Sequence, residues 1–87
     1  MTDHSKELNR LNRIMGQIKG IEQMIEANRK CAEIMSQLKS VRSAVRAVEA
    51  NILKDYLQQC VTESFASENE RQQKIDEIRE LFNDFHE

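Results

Sequence analysis

Eighty-seven residues with 39% hydrophobic and 32% charged side chains, no Pro, no Trp and a net charge of −2 describe one small domain, residues 1–87. A chain this short buries only about 60% of its unfolded surface, and without disulfides or a structural metal the usual remedy is oligomerisation. Two cysteines exclude a disulfide-stapled secreted scaffold, and neither a run of roughly 20 apolar residues nor a secretory signal is seen, so a cytoplasmic setting with reduced thiols is expected.

The absence of Pro, with Gly16 and Gly20 the only glycines, predicts an all-α chain. Leu8, Leu11, Met15, Ile18 and Ile25 keep to one face and predict a first helix over residues 5–27. Ala27-Asn28-Arg29-Lys30 reads as a break, because Asn tolerates the left-handed cap. A second helix then runs without a breaker from Cys31 to Glu63. Its Cys31, Ile34, Leu38, Val41, Val45, Val48 and Ile52 form a heptad-like seam of the kind that faces another helix. Residues 64–67 read as a turn, Ser67 and Glu70 as a capping box, and Ile75, Ile78, Leu81, Phe82 and Phe85 as the apolar side of a third helix.

The middle helix would be about 45–50 Å long at 1.5 Å per residue. A compact monomer of this size has a radius of gyration near 12 Å, so part of the seam would project into water. A symmetric dimer with paired middle helices is the economical answer. The expected architecture is therefore a three-helix protomer with a long middle helix in a symmetric helical dimer, either antiparallel or, with like thiols set against like, parallel.

Cys31 and Cys60 stand 29 residues apart, which on a straight helix leaves them about 20° from alignment but roughly 44 Å apart. Antiparallel pairing about a two-fold near Val45 and Arg46 would bring each Cys31 beside the partner's Cys60. Core packing is the commonest use of a free Cys. Against it, Cys31 lies at a helix start after Arg29 and Lys30, where backbone N–H groups and cations favour the thiolate. Cys60 lies near a helix end beside Asp55 and Glu63, which favour its thiol form. An activated and a resolving thiol make a redox-sensor arrangement.

Metal chemistry lacks a third soft donor. His4 and His86 are terminal, and Tyr56, one turn before Cys60, carries a neutral phenol that is a poor ligand for Cu(I) or Zn(II). Two thiolates alone can still hold Cu(I) linearly. No Ser-His-Asp constellation, phosphate loop or catalytic carboxylate pair is present, so no enzyme and no cofactor is expected.

Charge is divided along the chain: residues 1–62 carry ten cations and seven anions, residues 63–87 three cations and eight anions. Lys6, Arg10, Arg13 and Gln17 share a face of the first helix opposite its apolar stripe, with Gly20 continuing the line, and Lys39, Arg42 and Arg46 form a second stripe. A charge stripe is usually a solvated face. Here both stripes lack anions, and doubled in a dimer they would bind a polyanion with steep salt dependence. No helix-turn-helix, zinc finger or basic zipper is present.

Several segments together resemble the copper-sensing operon repressor (CsoR) family of bacterial transcriptional repressors. They are Leu8-Asn9-Arg10-Leu11-Asn12-Arg13-Ile14 with Gly16-Gln17, then Gly20-Ile21, Cys31 with Gln37 and Val41-Arg42, and Leu57 to Val61 around Cys60. The resemblance implies all-helical dimers that assemble into disc-shaped tetramers. It also implies operator binding through the basic surface of the first two helices, and release when an inducer reaches a site made by Cys31 of one subunit and Cys60 of its partner.

Copper-sensing members carry Cys, His and Cys at the positions of Cys31, Tyr56 and Cys60. Losing the His while keeping both Cys is similar to the persulfide-sensing CsoR-like sulfurtransferase repressor (CstR) branch, in which reactive sulfur links the thiols across the dimer. Thr2, where formaldehyde-sensing members carry Pro, speaks against that branch. Ala47 stands where the family often has an Arg, which leaves Arg46 as a substitute to be tested. The expectation is a repressor that binds operator DNA when reduced and lets go when persulfide or polysulfide links Cys31 to Cys60. The alternative is a Cu(I)-responsive repressor holding the metal with the same two thiolates, and a structural helical dimer with solvated stripes belongs to a different class.

Overall fold

The computed structural model describes residues 4–62 and 65–85. Among them the chain is three α-helices and no strand: α1 Ser5–Glu26, α2 Cys31–Thr62 and α3 Glu68–Phe85. Thr2, Glu63, Ser64 and His86, used in the sequence reading, lie outside the described residues. The chain forms two compact units, residues 1–52 and 53–87, and α2 runs through both. Among the described residues no helix is long and apolar enough to cross a membrane.

Asn28 ends α1 as its sequence suggested. It adopts φ 55°, the left-handed value that Asn tolerates. Arg29 N–H then donates to the Met24 carbonyl at 3.0 Å and Asn28 N–H to the Ile25 carbonyl at 3.1 Å, a Schellman closure that satisfies two orphan carbonyls. The Lys30 carbonyl accepts from Glu33 and Ile34 N–H and opens α2 at Cys31. Arg29 fixes that first turn from outside, reaching Glu33 at 3.0 and 2.8 Å.

The first unit is an antiparallel hairpin of α1 with the first two thirds of α2. Its register is set by two polar contacts: Asn51 Nδ2 donates to Glu7 Oε1 at 2.8 Å, and Gln17 Nε2 to Ser40 Oγ at 3.2 Å. Between them Ile14 and Val48 are buried, and beyond Gln17 Ile21 is buried too. The row of α1 that meets α2 lies at the edge of the apolar face that defines the helix. Glu7, Ile14 and Ile21 turn inward at seven-residue steps, whereas Leu8, Leu11, Met15, Ile18 and Ile25 remain 38–61% exposed. The reason is that a line of contact with one neighbouring helix follows a period close to seven, which drifts only about 20° per repeat. The α2 seam is divided in the same way. Ile34, Val41 and Val48 turn toward α1, while Leu38, Val45 and Ile52 are exposed by 37–43%.

The second unit joins the end of α2 to α3. Cys60 is its buried residue, with Leu53, Tyr56, Leu57, Phe65 and Ile78 half-buried. Glu70 N–H donates to Ser67 Oγ at 3.2 Å, so Ser67 caps α3 as its spacing implied. The return arm differs by one residue: Glu70 Oε2 accepts from Ala66 N–H at 2.8 Å rather than from Ser67 N–H.

Because so few residues form the hairpin core, each carries much of its stability. Ile14→Ala is expected to lower unfolding free energy by about 2–4 kcal/mol, read as a shift in the urea midpoint followed by far-UV circular dichroism.

Candidate functional site

The two thiols occupy contrasting surroundings. Cys31 is the first residue of α2 and is exposed; Cys60, two residues before its end, is buried; both are free. Of the cations expected to crowd Cys31, Arg29 is committed to Glu33 through the 2.8 Å ion pair, so its charge is largely spent. An open groove lined by Met24, Arg29, Ala32, Glu33, Ser36 and Gln37 lies immediately alongside this start of α2.

One turn before Cys60, Tyr56 is tied into a network that its sequence gave no sign of. Its hydroxyl donates to Glu77 Oε2 at 3.2 Å and accepts from Lys74 Nζ at 3.3 Å. Lys74 also pairs with Glu77 at 3.2 Å and lies 5.5 Å from the centre of the Tyr56 ring. The ionisation of the three groups follows from these contacts. The Lys74 hydrogen bond pulls the phenol down, but desolvation, the nearby Cys60 and the Glu77 carboxylate together outweigh it and hold Tyr56 above its ordinary 10.0. Bonds to Tyr56 and then to Glu77 hold Lys74 well above the usual lysine value. The Lys74 bond and charge, with the Tyr56 O–H behind them, hold Glu77 below its ordinary 4.5. Tyr56 therefore stays a neutral phenol, its O–H donating to the Glu77 carboxylate and one lone pair accepting from the Lys74 ammonium.

This bears directly on metals. Among the described residues no three His, Cys, Asp or Glu side chains cluster to hold an ion. The donor chemistry around Cys60 does not fit a three-ligand centre of thiolate, imidazole and thiolate, since the position for the imidazole carries a neutral phenol that donates to Glu77 and accepts from the Lys74 ammonium.

The basic residues fall on two flanks of the hairpin. Lys6, Arg10 and Arg13 are exposed on the side of α1 marked by the Gln17–Ser40 contact. Gln17, expected in that stripe as an outward group, is half-buried and spent on Ser40. Arg10 has an acidic neighbour that a count of stripe residues overlooks, Glu7 at 3.8 Å. Gly20 has open space where a Cβ would stand. Next to this stripe α2 presents exposed small residues: Ser36, Ser40, Ser43 and Ala47. Lys39, Arg42 and Arg46 are exposed on the other flank, beside Leu38 and Val45. Consecutive helical residues diverge by about 100°, so Arg46 does not take the direction of Ala47, and the α1 flank goes without that cation.

Comparison with known proteins places this geometry. Residues 3–84 match the model of a family described as metal-sensitive transcriptional repressors. The chain is 36% identical over 77 residues to the copper-sensing transcriptional repressor CsoR of Bacillus subtilis, covering 88% of this chain and 75% of that one. It is 42% identical over 57 residues to the copper-sensing transcriptional repressor RicR of Mycobacterium tuberculosis, covering 66% of this chain and 59% of that one. Among solved structures it superposes on the nickel-responsive transcriptional regulator InrS with a TM-score of 0.81 at 36% identity, covering 97% of this chain and 93% of that one.

A depressed carboxylate pKa stabilises the fold above the unfolded value and stops doing so as pH falls through the folded one. The Glu77 contribution is thus present above pH 4.5 and fades below it, and solvent screening keeps it small. An NMR titration of the Glu77 carboxyl carbon should give a midpoint below 4.5 that returns toward 4.5 in Lys74→Met.

Proposed function

The chain belongs to the metal-sensitive transcriptional repressor family, and we propose that it is a thiol-operated member: a homo-oligomeric repressor that binds operator DNA when reduced and is released by persulfide or polysulfide. The observation that carries the reading is the contrast at α2: an exposed Cys31 at its open start, a buried Cys60 near its end, and a committed Tyr56 where a third metal donor would stand.

The apolar residues that the hairpin leaves exposed support the assembly. Leu8, Leu11, Met15, Leu38, Val45 and Ile52 are covered when two hairpins pair, and antiparallel α2 helices then set Cys31 against the partner subunit's Cys60. In the reaction the Cys31 thiolate attacks a terminal sulfur of the polysulfide, becomes a persulfide and expels a shorter polysulfide. The partner subunit's Cys60 thiolate then attacks the Cys31 sulfur and hydrosulfide leaves. Two thiols lose two electrons, and the inducer gains them as one of its S–S bonds breaks. The same link with one sulfur retained is a trisulfide. Either bridge fixes the ends of two α2 helices to each other, and induction equals the difference in DNA affinity between the free and bridged forms.

DNA contact is assigned to Lys6, Arg10 and Arg13 on α1, with Gln17 orienting Ser40, and to Lys39, Arg42 and Arg46 on α2. The α1 flank, bordered by small side chains, lets a phosphate backbone approach closely. The names of the CsoR and RicR relatives favour a second reading, in which Cu(I) held by Cys31 and the partner subunit's Cys60 is the inducer.

Anaerobic treatment of the reduced protein with inorganic tetrasulfide, followed by non-reducing digestion and mass spectrometry, should yield peptides joining residues 31 and 60 between chains. Finding only unlinked peptides would reject the sulfur reading. Fluorescence anisotropy on promoter DNA should show affinity falling about tenfold or more on treatment. Cys31→Ser and Cys60→Ser should each retain DNA binding and lose the response. Arg13→Glu should weaken binding of the reduced form and flatten its dependence on salt.

A further inference from the structure

We infer that Lys74, held on the Tyr56 hydroxyl and braced by Glu77, is the residue that closes the third donor position beside Cys60 to metal ions.

The geometry is specific. Tyr56 and Cys60 are four residues apart on α2, so their side chains share a face one turn apart. A metal on the Cys60 sulfur that drew its next ligand from α2 would take it from position 56. There the Lys74 ammonium stands 3.3 Å from the oxygen and points N–H at the lone pair that a ligand would offer. The hydroxyl proton goes to Glu77 at 3.2 Å, so conversion to phenolate would place a second anion against an existing one. Glu77 Oε2 is in turn paired with Lys74 at 3.2 Å, which holds the ammonium between the carboxylate and the phenol. Lys74 is only 27% exposed in its side chain, so it is partly fixed rather than waving in solvent. The ammonium also lies against the Tyr56 ring, a contact that favours its staying there.

The exclusion has a consequence that identity at position 56 alone does not. An imidazole placed there would meet the same ammonium, which would hydrogen-bond to its free nitrogen lone pair and set a positive charge beside any incoming cation. Repulsive placement of this kind discriminates against a partner without adding anything for the right one. Tyr56→His should therefore be insufficient to build a metal site, and removal of Lys74 should unlock it. The inference concerns the reduced protein and metal alone, so it stands or falls separately from the polysulfide reading.

The experiment is a double-mutant cycle on the full chain: wild type, Tyr56→His, Lys74→Met, and the pair, each titrated anaerobically with Cu(I) against a chromogenic chelator. Far-UV circular dichroism confirms that every variant keeps its helix content. The expected result is a small gain for either single variant and a gain in the pair that exceeds their product by about tenfold or more. Lys74→Arg, which keeps the charge, should remain closed with His at position 56. The inference is overturned if Tyr56→His alone reaches the affinity of the pair. It is equally overturned if the folded pair binds Cu(I) no more tightly than wild type.

Discussion

A two-helix hairpin has one line of contact, and α1 and α2 carry more apolar rows than one line can hide. This constraint governs the molecule. Glu7, Ile14, Ile21, Ile34, Val41 and Val48 use up the contact between the helices, and the adjoining rows, Leu8, Leu11 and Met15 on α1 and Leu38, Val45 and Ile52 on α2, remain in view. Side chains of this size exposed together are the surface that the proposed pairing of two hairpins would cover. The packing inside the hairpin and the apolar rows left outside it therefore come from the same heptad pattern, divided between its alternate positions.

That division explains which parts of the fold were legible in sequence. The three helices, the Asn28 break and the Ser67 cap could be read because each rests on a local rule: the left-handed tolerance of Asn, or the reach of a serine hydroxyl to a backbone N–H three residues on. The row of α1 that meets α2 was not legible because the helix is apolar over a wide arc, and periodicity reports the whole arc without saying which edge makes the contact. Ile14 and Ile21 lie at one margin of it, next to the cations, and a search for the centre of the stripe passes over them. Glu7 was invisible for a different reason. A carboxylate in a basic segment looks like solvent-facing charge until a donor such as Asn51, 44 residues away, is seen to reach it.

The sensor residues divide along the same line. Cys31 and Cys60 were singled out by residue type and spacing as the candidate sensor thiols, and the structure adds that the first is exposed and the second buried. Lys74 and Glu77 carried no signal, because a Lys and a Glu three apart on an acidic, amphipathic helix are ordinary surface residues. Only their meeting with Tyr56, 18 and 21 residues back, gives them a chemical meaning. The basic stripes were half legible. The cations are where spacing put them, but Gln17 is drawn into the hairpin, and Ala47 leaves the α1 flank relying on lysine and arginine from α1 itself.

These features bear on how a thiol reaction could govern DNA binding. Cys31 belongs to the unit that carries every cation assigned to DNA, while Cys60 belongs to the unit that carries the Tyr56 network, and one unbroken helix passes through both. Thiols 29 residues apart on such a helix cannot close on each other without breaking it, so any bridge between them runs between chains. A bridge between chains restrains two α2 helices at once, and α1 is bound to α2 by the Glu7–Asn51 and Gln17–Ser40 contacts. The second of these sits within the basic flank, so under the proposed function a shift of α2 would reach the cations of α1 through Ser40 and Gln17 without passing through the loop between the helices. In this scheme the weak, exposed hydrogen bond is an advantage: a contact that yields at small cost lets the energy of a sulfur–sulfur bond be spent on moving the DNA-facing surface rather than on breaking the hairpin.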